Sequence, residues 1–360
     1  MEKKDWDQAV SLLLTWFDEN KRKLPWREQP TPYHVFVSEI MLQQTRVETV
    51  KPYYERFLKI LPDVHALSAA KEETLLKLWE GLGYYNRVRN MQKAALQVVE
   101  EYDGRIPDSY NELLKLKGIG PYTAGAIASI AYGKQEPAVD GNVLRVLMRF
   151  FSDESDIAKQ SVKDSVSRML REWMPQERCG DFNQALMELG AVVCLPNGVP
   201  LCEECPLVQL CLARKQGKVD CLPVKSGKIA RKIEKKTILI IRDDEKTAVC
   251  KRSGKGLLAG MYEFPNAEGY LSPEEALSYV KEKGFAPLRI TEIEPSKHIF
   301  SHKEWHMKAY VIKVEPVGCQ KGFLFASAKD AQDKYPIPSA FAAYAKYLSI
   351  KIGNERFQEE

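Results

Sequence analysis

Leu116-Lys117-Gly118-Ile119-Gly120-Pro121-Tyr122-Thr123-Ala124 is the stretch whose reading decides the fold. Its two glycines allow backbone torsions that other residues resist. Pro121 suits the first position of a helix, with its ring pre-set and no N–H to waste. The stretch therefore reads as a glycine turn opening a helix, between predicted helices over 110–116 and 121–132. Turns of this kind leave N–H groups pointing outward, a ready phosphate site. An ordinary junction between two helices has the same look, so the stretch alone leaves both readings open.

Working outward, Trp6, Val10, Leu13, Leu14 and Phe17 recur at helical spacing. Further helices are predicted over 33–50, 72–79, 86–102, 142–151, 160–173 and 182–193, with Gly104, Pro107, Gly118 and Gly133 at their ends. Residues 1–213 thus form a mostly α, nearly strand-free region. The tract 214–236 carries nine Lys or Arg against Asp220 and Glu234 and reads as a basic interdomain linker, a solvated tether or one lying along phosphate. Beyond it the period switches to two: Thr237–Arg242, an Asp243-Asp244 turn and Thr247–Lys251 predict a hairpin. A helix over 273–283, strands over 288–293 and 307–314 and a helix over 339–350 complete an α+β domain spanning 237–360.

The chain has 360 residues, room for two or three domains, and 44% apolar with 28% charged residues excludes wholesale disorder. No run approaches the ~18 apolar residues of a membrane span. The charged start Met1-Glu2-Lys3-Lys4-Asp5 lacks the apolar core of a secretory signal. A cytoplasmic protein with no membrane partner is expected. Lys and Arg outnumber Asp and Glu by 53 to 49, which permits an acidic partner without demanding one.

Cys194, Cys202, Cys205 and Cys211 follow a C-x7-C-x2-C-x5-C spacing, while Cys179, Cys221, Cys250 and Cys319 are scattered. In a reducing compartment such a cluster holds metal rather than disulfides. Zinc ribbons usually supply two separated C-x-x-C pairs, and only Cys202–Cys205 is one, so a [4Fe–4S] cluster fits better, with zinc or free thiols as the alternatives. Glu39 sits in the apolar run Val35-Phe36-Val37-Ser38-Glu39-Ile40-Met41-Leu42. Desolvation there would raise its pKa toward what a general acid needs, although an exposed helix glutamate reads the same way. Asp140, before Gly141-Asn142-Val143, reads equally as a helix N-cap. Gly81-Leu82-Gly83-Tyr84-Tyr85-Asn86-Arg87 could stack a base and hold phosphate, or simply enter a helix with both tyrosines packed inward.

In this order the motifs resemble those of the helix–hairpin–helix DNA glycosylases of the endonuclease III superfamily, over roughly residues 6–215, and its adenine-removing branch in particular. The resemblance implies a six-helix barrel with an Fe–S module, followed by an α+β Nudix-like domain. It makes Glu39 and Asp140 the catalytic carboxylates, with Tyr122 and Asn142 orienting Asp140 and the sugar. Gln43, Gln44, Tyr84 and Arg87 would meet the opened duplex, Gly118 and Gly120 its backbone, and the four clustered cysteines a [4Fe–4S] cluster. Seven residues separate Cys194 from Cys202 where the family pattern has six, an extra residue expected to bulge at Asn197-Gly198. Lyase members of the superfamily carry a lysine where this chain has Tyr122, and a phenol cannot form their Schiff base. The implied activity is therefore monofunctional hydrolysis of adenine from double-stranded DNA, opposite 8-oxoguanine or guanine, by a monomer. Gly256–Pro265 resembles the opening loop of a Nudix-like domain, and Phe300-Ser301-His302 the loop that meets the oxidised guanine. Glu274, Glu275 and Glu282 do not form the R-E-x-x-E-E pattern of a Nudix hydrolase, so binding without hydrolysis is implied. Three other readings compete: a glycosylase for oxidised pyrimidines, which Tyr122 and the C-terminal domain disfavour, a non-catalytic damage-binding Fe–S protein, which the two carboxylates disfavour, and a nucleotide hydrolase with a helical appendage, which the missing glutamate-rich helix disfavours.

Overall fold

The computed structural model describes residues 3–227, 230–243, 245–316 and 320–357; Asp244 of the predicted turn, Lys228 of the linker and Cys319 lie outside them. The chain divides into two compact units, Met1–Ala69 with Asn90–Lys228, and Ala70–Arg89 with Ile229–Glu360. No helix among the described residues is long and apolar enough to cross a membrane.

The first unit is helical. In chain order its helices are α1 (Lys3–Asn20), α2 (Pro25–Glu28), α3 (Pro32–Leu42), α4 (Val47–Ile60) and α5 (Val64–Ala69). After α6 (Glu72–Leu78), which belongs to the other unit, come α7 (Asn86–Glu101), α8 (Tyr110–Leu113), α9 (Pro121–Ala126), α10 (Gly141–Phe151), α11 (Gln160–Trp173), α12 (Cys179–Val192) and α13 (Leu212–Lys215). Thr31 starts α3 by accepting the His34 N–H at 3.2 Å, with Pro32 in the first turn. The helix predicted over 33–50 is two helices. Gln44, at φ 58°, cannot continue a right-handed helix, and the chain restarts at Val47. Past Ala126 the helix of the glycine turn widens into a π turn over Ile127–Ala131.

Trp6 of α1 anchors the core of this unit. Its ring stacks on Phe151 and meets Phe150, Trp173 and Phe182 edge-on, while its N–H donates to the Trp173 carbonyl at 2.8 Å. Each fully buried side chain of this size contributes roughly 1.5–3 kcal/mol. Gly190 lets α12 come against the start of α10: a Cβ there would lie 2.7 Å from Asn142 Cβ.

The second unit is built on a mixed sheet of order β3-β2-β1-β6-β5, with β4 beside β1 and β7 beside β2. Its strands are β1 (Lys232–Arg242), β2 (Thr247–Lys251), β3 (Tyr262–Glu263), β4 (Asn266–Glu268), β5 (Pro287–Ile299), β6 (Lys303–Val314) and β7 (Leu324–Ala326). The predicted hairpin is present, with Arg242 opposite Thr247. Both faces of β1 are covered. Ile238 and Ile240 pack with Phe341 and Tyr344, whereas Leu239 and Ile241 pack with Ala276 and Val280 of α14 (Pro273–Glu282). The uninterrupted apolar run is the mark of a strand buried on both sides. Three expectations change. Part of the tract read as linker is structured: Arg214 and Lys215 end α13, and Lys232–Lys236 already pair with β6. The 339–350 helix is a 3₁₀ segment over Ser339–Tyr347, preceded by α15 (Ala328–Asp333). Strand β5 is longer than predicted, because at the sheet edge its largely exposed residues show no clear alternation.

Candidate active site

Glu39 lies in the buried run of α3, 5% exposed, and Asp140 is the N-cap of α10. Both line one cavity of about 180 Å³ with Tyr122, Asn142, Arg22, Trp26, Arg27, Gln184 and Glu188. That is smaller than the ~300–1,000 Å³ typical of sites for drug-sized ligands, and suits a single heterocycle. Tyr122 donates its O–H to Glu39 Oε2 at 2.5 Å. Asn142 Nδ2 donates to Asp140 Oδ2 at 2.7 Å, and the Val143 N–H to Asp140 Oδ1 at 2.8 Å. Asp140 is thus both a helix cap and a wall of the cavity, so the two readings of its sequence coexist.

The two carboxylates are tuned differently. Burial pushes Glu39 up to about 7; the Tyr122 hydrogen bond pulls it down, Asp140 pushes it further up and Arg27 pulls it down. Burial also raises Asp140, but the N–H groups of Val143 and Asn142 pull back toward the ionised form. Tyr122, its pKa raised well above the ordinary value first by burial and then by both carboxylates, keeps its proton and stays a donor. The arrangement offers one carboxyl poised to give a proton near neutrality and one hydrogen-bonded carboxylate beside it.

Arg145 ties this centre to the cysteine loop. Its guanidinium donates to Asn142 Oδ1 at 2.9 Å, to the Gly190 carbonyl at 2.6 Å and to the Cys194 carbonyl at 2.8 Å. Cys194, Cys202, Cys205 and Cys211 line one cavity with Arg149 and Arg214, and Arg149 Nη1 lies 3.2 Å from Cys194 Sγ. Four thiols lining one cavity beside cationic groups are a donor set that would suit a thiolate-bound metal group, a [4Fe–4S] cluster among them. Gly198, at φ 76°, turns the chain in the long Cys194–Cys202 segment, where the extra residue was expected to bulge.

Residues 37–175 match the HhH-GPD superfamily of base excision DNA repair proteins, and residues 237–347 a NUDIX domain. An adenine DNA glycosylase of Buchnera aphidicola subsp. Schizaphis graminum is 34% identical over 82% of this chain and 85% of its own. The chain belongs to the adenine DNA glycosylase family. The enzyme of Rattus norvegicus is likewise 34% identical, over 84% of this chain and 70% of that one. Among solved structures, a thermostable thymine-DNA glycosylase superposes with a TM-score of 0.54 at 28% identity, over 59% of this chain and 98% of that one. Endonuclease III from a non-covalent DNA complex gives 0.52 at 25%, over 60% and 98%.

The other expected site residues of the glycosylase fall at several places. Gln43 Nε2 reaches Thr123 Oγ1 at 3.3 Å, and Gln44 is exposed. Gln44 and Tyr84, at φ 58° and 49°, both hold the left-handed region that such side chains rarely occupy, a strain of order 1–3 kcal/mol that tends to collect at functional sites. Tyr84 is 46% exposed. Arg87, expected at the opened duplex, packs within the loop that bears Tyr84. It lies against Trp79 and Tyr84, donates to the Leu82 and Gly83 carbonyls, and is held down to about 10 by burial, so it builds the loop. Gly118, at φ 80°, needs its missing side chain, since a Cβ would lie 2.7 Å from Asn90 Cβ. Gly120 does not: its φ of −99° suits any residue, and nothing lies within 4 Å. Tyr122, expected beside Asp140 and the sugar, hydrogen-bonds Glu39 in the same cavity. Ser301 and His302 sit exposed in the turn joining β5 to β6, Ser301 Oγ 3.3 Å from His302 Nδ1. Glu275, an acid without the Nudix hydrolase pattern around it, forms a capping box with Ser272 at the start of α14.

Sequence reasoning missed Glu188, Arg22, Arg27 and Gln184. Glu188 is 2% exposed and takes Arg22 Nε at 2.6 Å and Arg27 Nη2 at 2.9 Å, while Arg27 Nε donates to Gln184 at 2.9 Å. The signal was present: an acid among Ala185, Leu186, Met187 and Leu189 is the pattern that singled out Glu39.

Proposed function

We propose that this glycosylase hydrolyses adenine from duplex DNA in which it faces 8-oxoguanine or guanine. The observation that carries the reading is that Glu39 and Asp140, about a hundred positions apart in sequence, line one base-sized cavity in different hydrogen-bonding environments. An adenine inside the duplex is out of reach, so its nucleotide must leave the stack at a cost of a few kcal/mol. Gln43, Gln44 and Tyr84 fill or wedge the gap, and the Gly118–Pro121 turn holds backbone phosphate.

Glu39 gives its proton to N7 of the departing base, and the bond to the sugar breaks with its electron pair leaving on adenine. Asp140, ionised and held by Asn142, stabilises the positive sugar that remains. Water then adds to the sugar carbon, and its proton passes to Glu39. Tyr122 keeps Glu39 in place and forms no imine, so strand cleavage does not follow. Cys194, Cys202, Cys205 and Cys211 would hold a [4Fe–4S] cluster, which when bound supplies a structural brace. Ser301 and His302 meet the oxidised guanine.

Single-turnover assays on duplexes with adenine opposite 8-oxoguanine test the reading. Release of free adenine is expected, and E39Q should slow it by about 10²–10⁴-fold while leaving duplex binding intact. A robust borohydride-trapped adduct, or wild-type protein that releases no adenine, would overturn it.

A further inference from the structure

The loop that bears Tyr84 follows directly on a buried ion pair. Lys77, at the end of α6, is 9% exposed and Glu80 is 1% exposed. Lys77 Nζ lies 3.0 Å from Glu80 Oε2 and donates to the carbonyls of Ala331 and Tyr335, each at 3.0 Å. Glu80 Oε1 accepts the Ile337 N–H at 2.6 Å. Two outer contacts flank the pair: Lys251 Nζ to Glu73 at 2.9 Å, and Arg89 between Glu72 Oε1 at 2.6 Å and the Ala259 carbonyl at 2.5 Å. These contacts fasten Ala70–Arg89 to β2, α15 and the loops of its own unit.

A buried pair of charges is tolerated only when its remaining donors and acceptors are satisfied, and it then specifies position more than it adds stability. Here the ammonium meets a carboxylate and two carbonyls, and the carboxylate also takes a backbone N–H. An apolar pair could slide; this one has a single register. Glu80 is followed at once by Gly81, and the loop beyond is stiffened from within: Trp79 Nε1 donates to the Gly83 carbonyl at 3.0 Å, and Arg87 holds Leu82 and Gly83. Tyr84 is thus the exposed tip of a block whose base is the buried pair.

We propose that Lys77 and Glu80 are positioning residues that fix the Tyr84 loop on the C-terminal unit, so that the unit meeting the oxidised guanine also carries the side chain that enters the duplex. What Tyr84 does to DNA rests on the function proposed above; the anchoring does not.

The test uses the 360-residue, cluster-loaded chain with K77M, E80Q and the swap K77E/E80K. Hydrogen–deuterium exchange is followed in peptides covering 79–89, with β1 and β6 as internal controls. Exchange over 79–89 should quicken roughly tenfold or more in K77M and E80Q, with β1 and β6 unchanged. The swap should not rescue it, because the moved carboxylate would face two carbonyls and the moved ammonium the Ile337 N–H. Opening of a duplex that carries 2-aminopurine beside the target adenine should slow in the same variants, at an unchanged active fraction. Wild-type protection over 79–89 in a folded variant, rescue by the swap, or unaltered duplex opening despite lost protection each overturns the proposal. Should K77M fail to fold, the near-isosteric E80Q decides alone. If the variants lose protection while wild-type enzyme releases no adenine, the anchor stands and the proposed function falls.

Discussion

A carboxyl that is 5% exposed and keeps its proton to about 7 sets two pH dependences of the same direction. Catalysis needs the protonated form, so adenine release should fall about tenfold per unit as pH rises above ~7. Stability runs with the same proton. The folded-state pKa lies above the ordinary 4.5, so the folded chain holds a proton that the unfolded chain gives up between 4.5 and about 7. Stability therefore declines with pH across that window, and the full cost is present above it. E39Q should accordingly be the more stable protein above pH 7, by up to roughly 3 kcal/mol in denaturant titrations, and no more stable below pH 4. Y122F removes the 2.5 Å donor that favours ionised Glu39. Its alkaline limb of the pH–rate profile should move up by about one unit. A limb that stays in place would mean that the phenol does not govern the acid.

At the scale of the element, Asp140 caps α10 while facing the cavity, and two substitutions separate these duties. Asparagine caps nearly as well as aspartate, so D140N should keep the thermal midpoint close to wild type yet lose about 10²–10³ in single-turnover rate. D140A should lose the rate and also about 1 kcal/mol of stability. Helices with strong apolar periodicity were legible, α11 to the residue and α7 to within one, because local pattern and tertiary burial agree there. The break at Gln44 was not legible: glutamine favours helix, and only the tertiary fold holds it at positive φ. Within the cavity, Glu39 stood out as an acid in an apolar run, whereas Asp140 read locally as a helix cap, and the paired catalytic role of the two came from the family resemblance. Arg22 and Arg27 lie in or beside short, irregular segments before α3, where no periodicity marks an inward-facing charge.

At the scale of the molecule, the composition of the C-terminal unit was the least legible feature. Ala70–Arg89 falls inside the stretch matched to the helical superfamily, yet its contacts group it with Ile229–Glu360. Long-range partners such as Glu80 and Ile337 leave no trace in local pattern. Deleting residues 230–360 should narrow the preference for adenine opposite 8-oxoguanine over adenine opposite guanine, read as a ratio of single-turnover rates. A ratio that survives unchanged removes the role given to Ser301 and His302. The discontinuity also has a cost in time. Chains emerge from the ribosome at about 5–20 residues per second, so a segment whose partners lie some 250 positions downstream waits roughly 10–50 s before it can dock. During that interval Lys77 and Glu80 remain hydrated and their helix lacks its support, which makes the nascent chain around them a natural target for chaperones and for proteolysis.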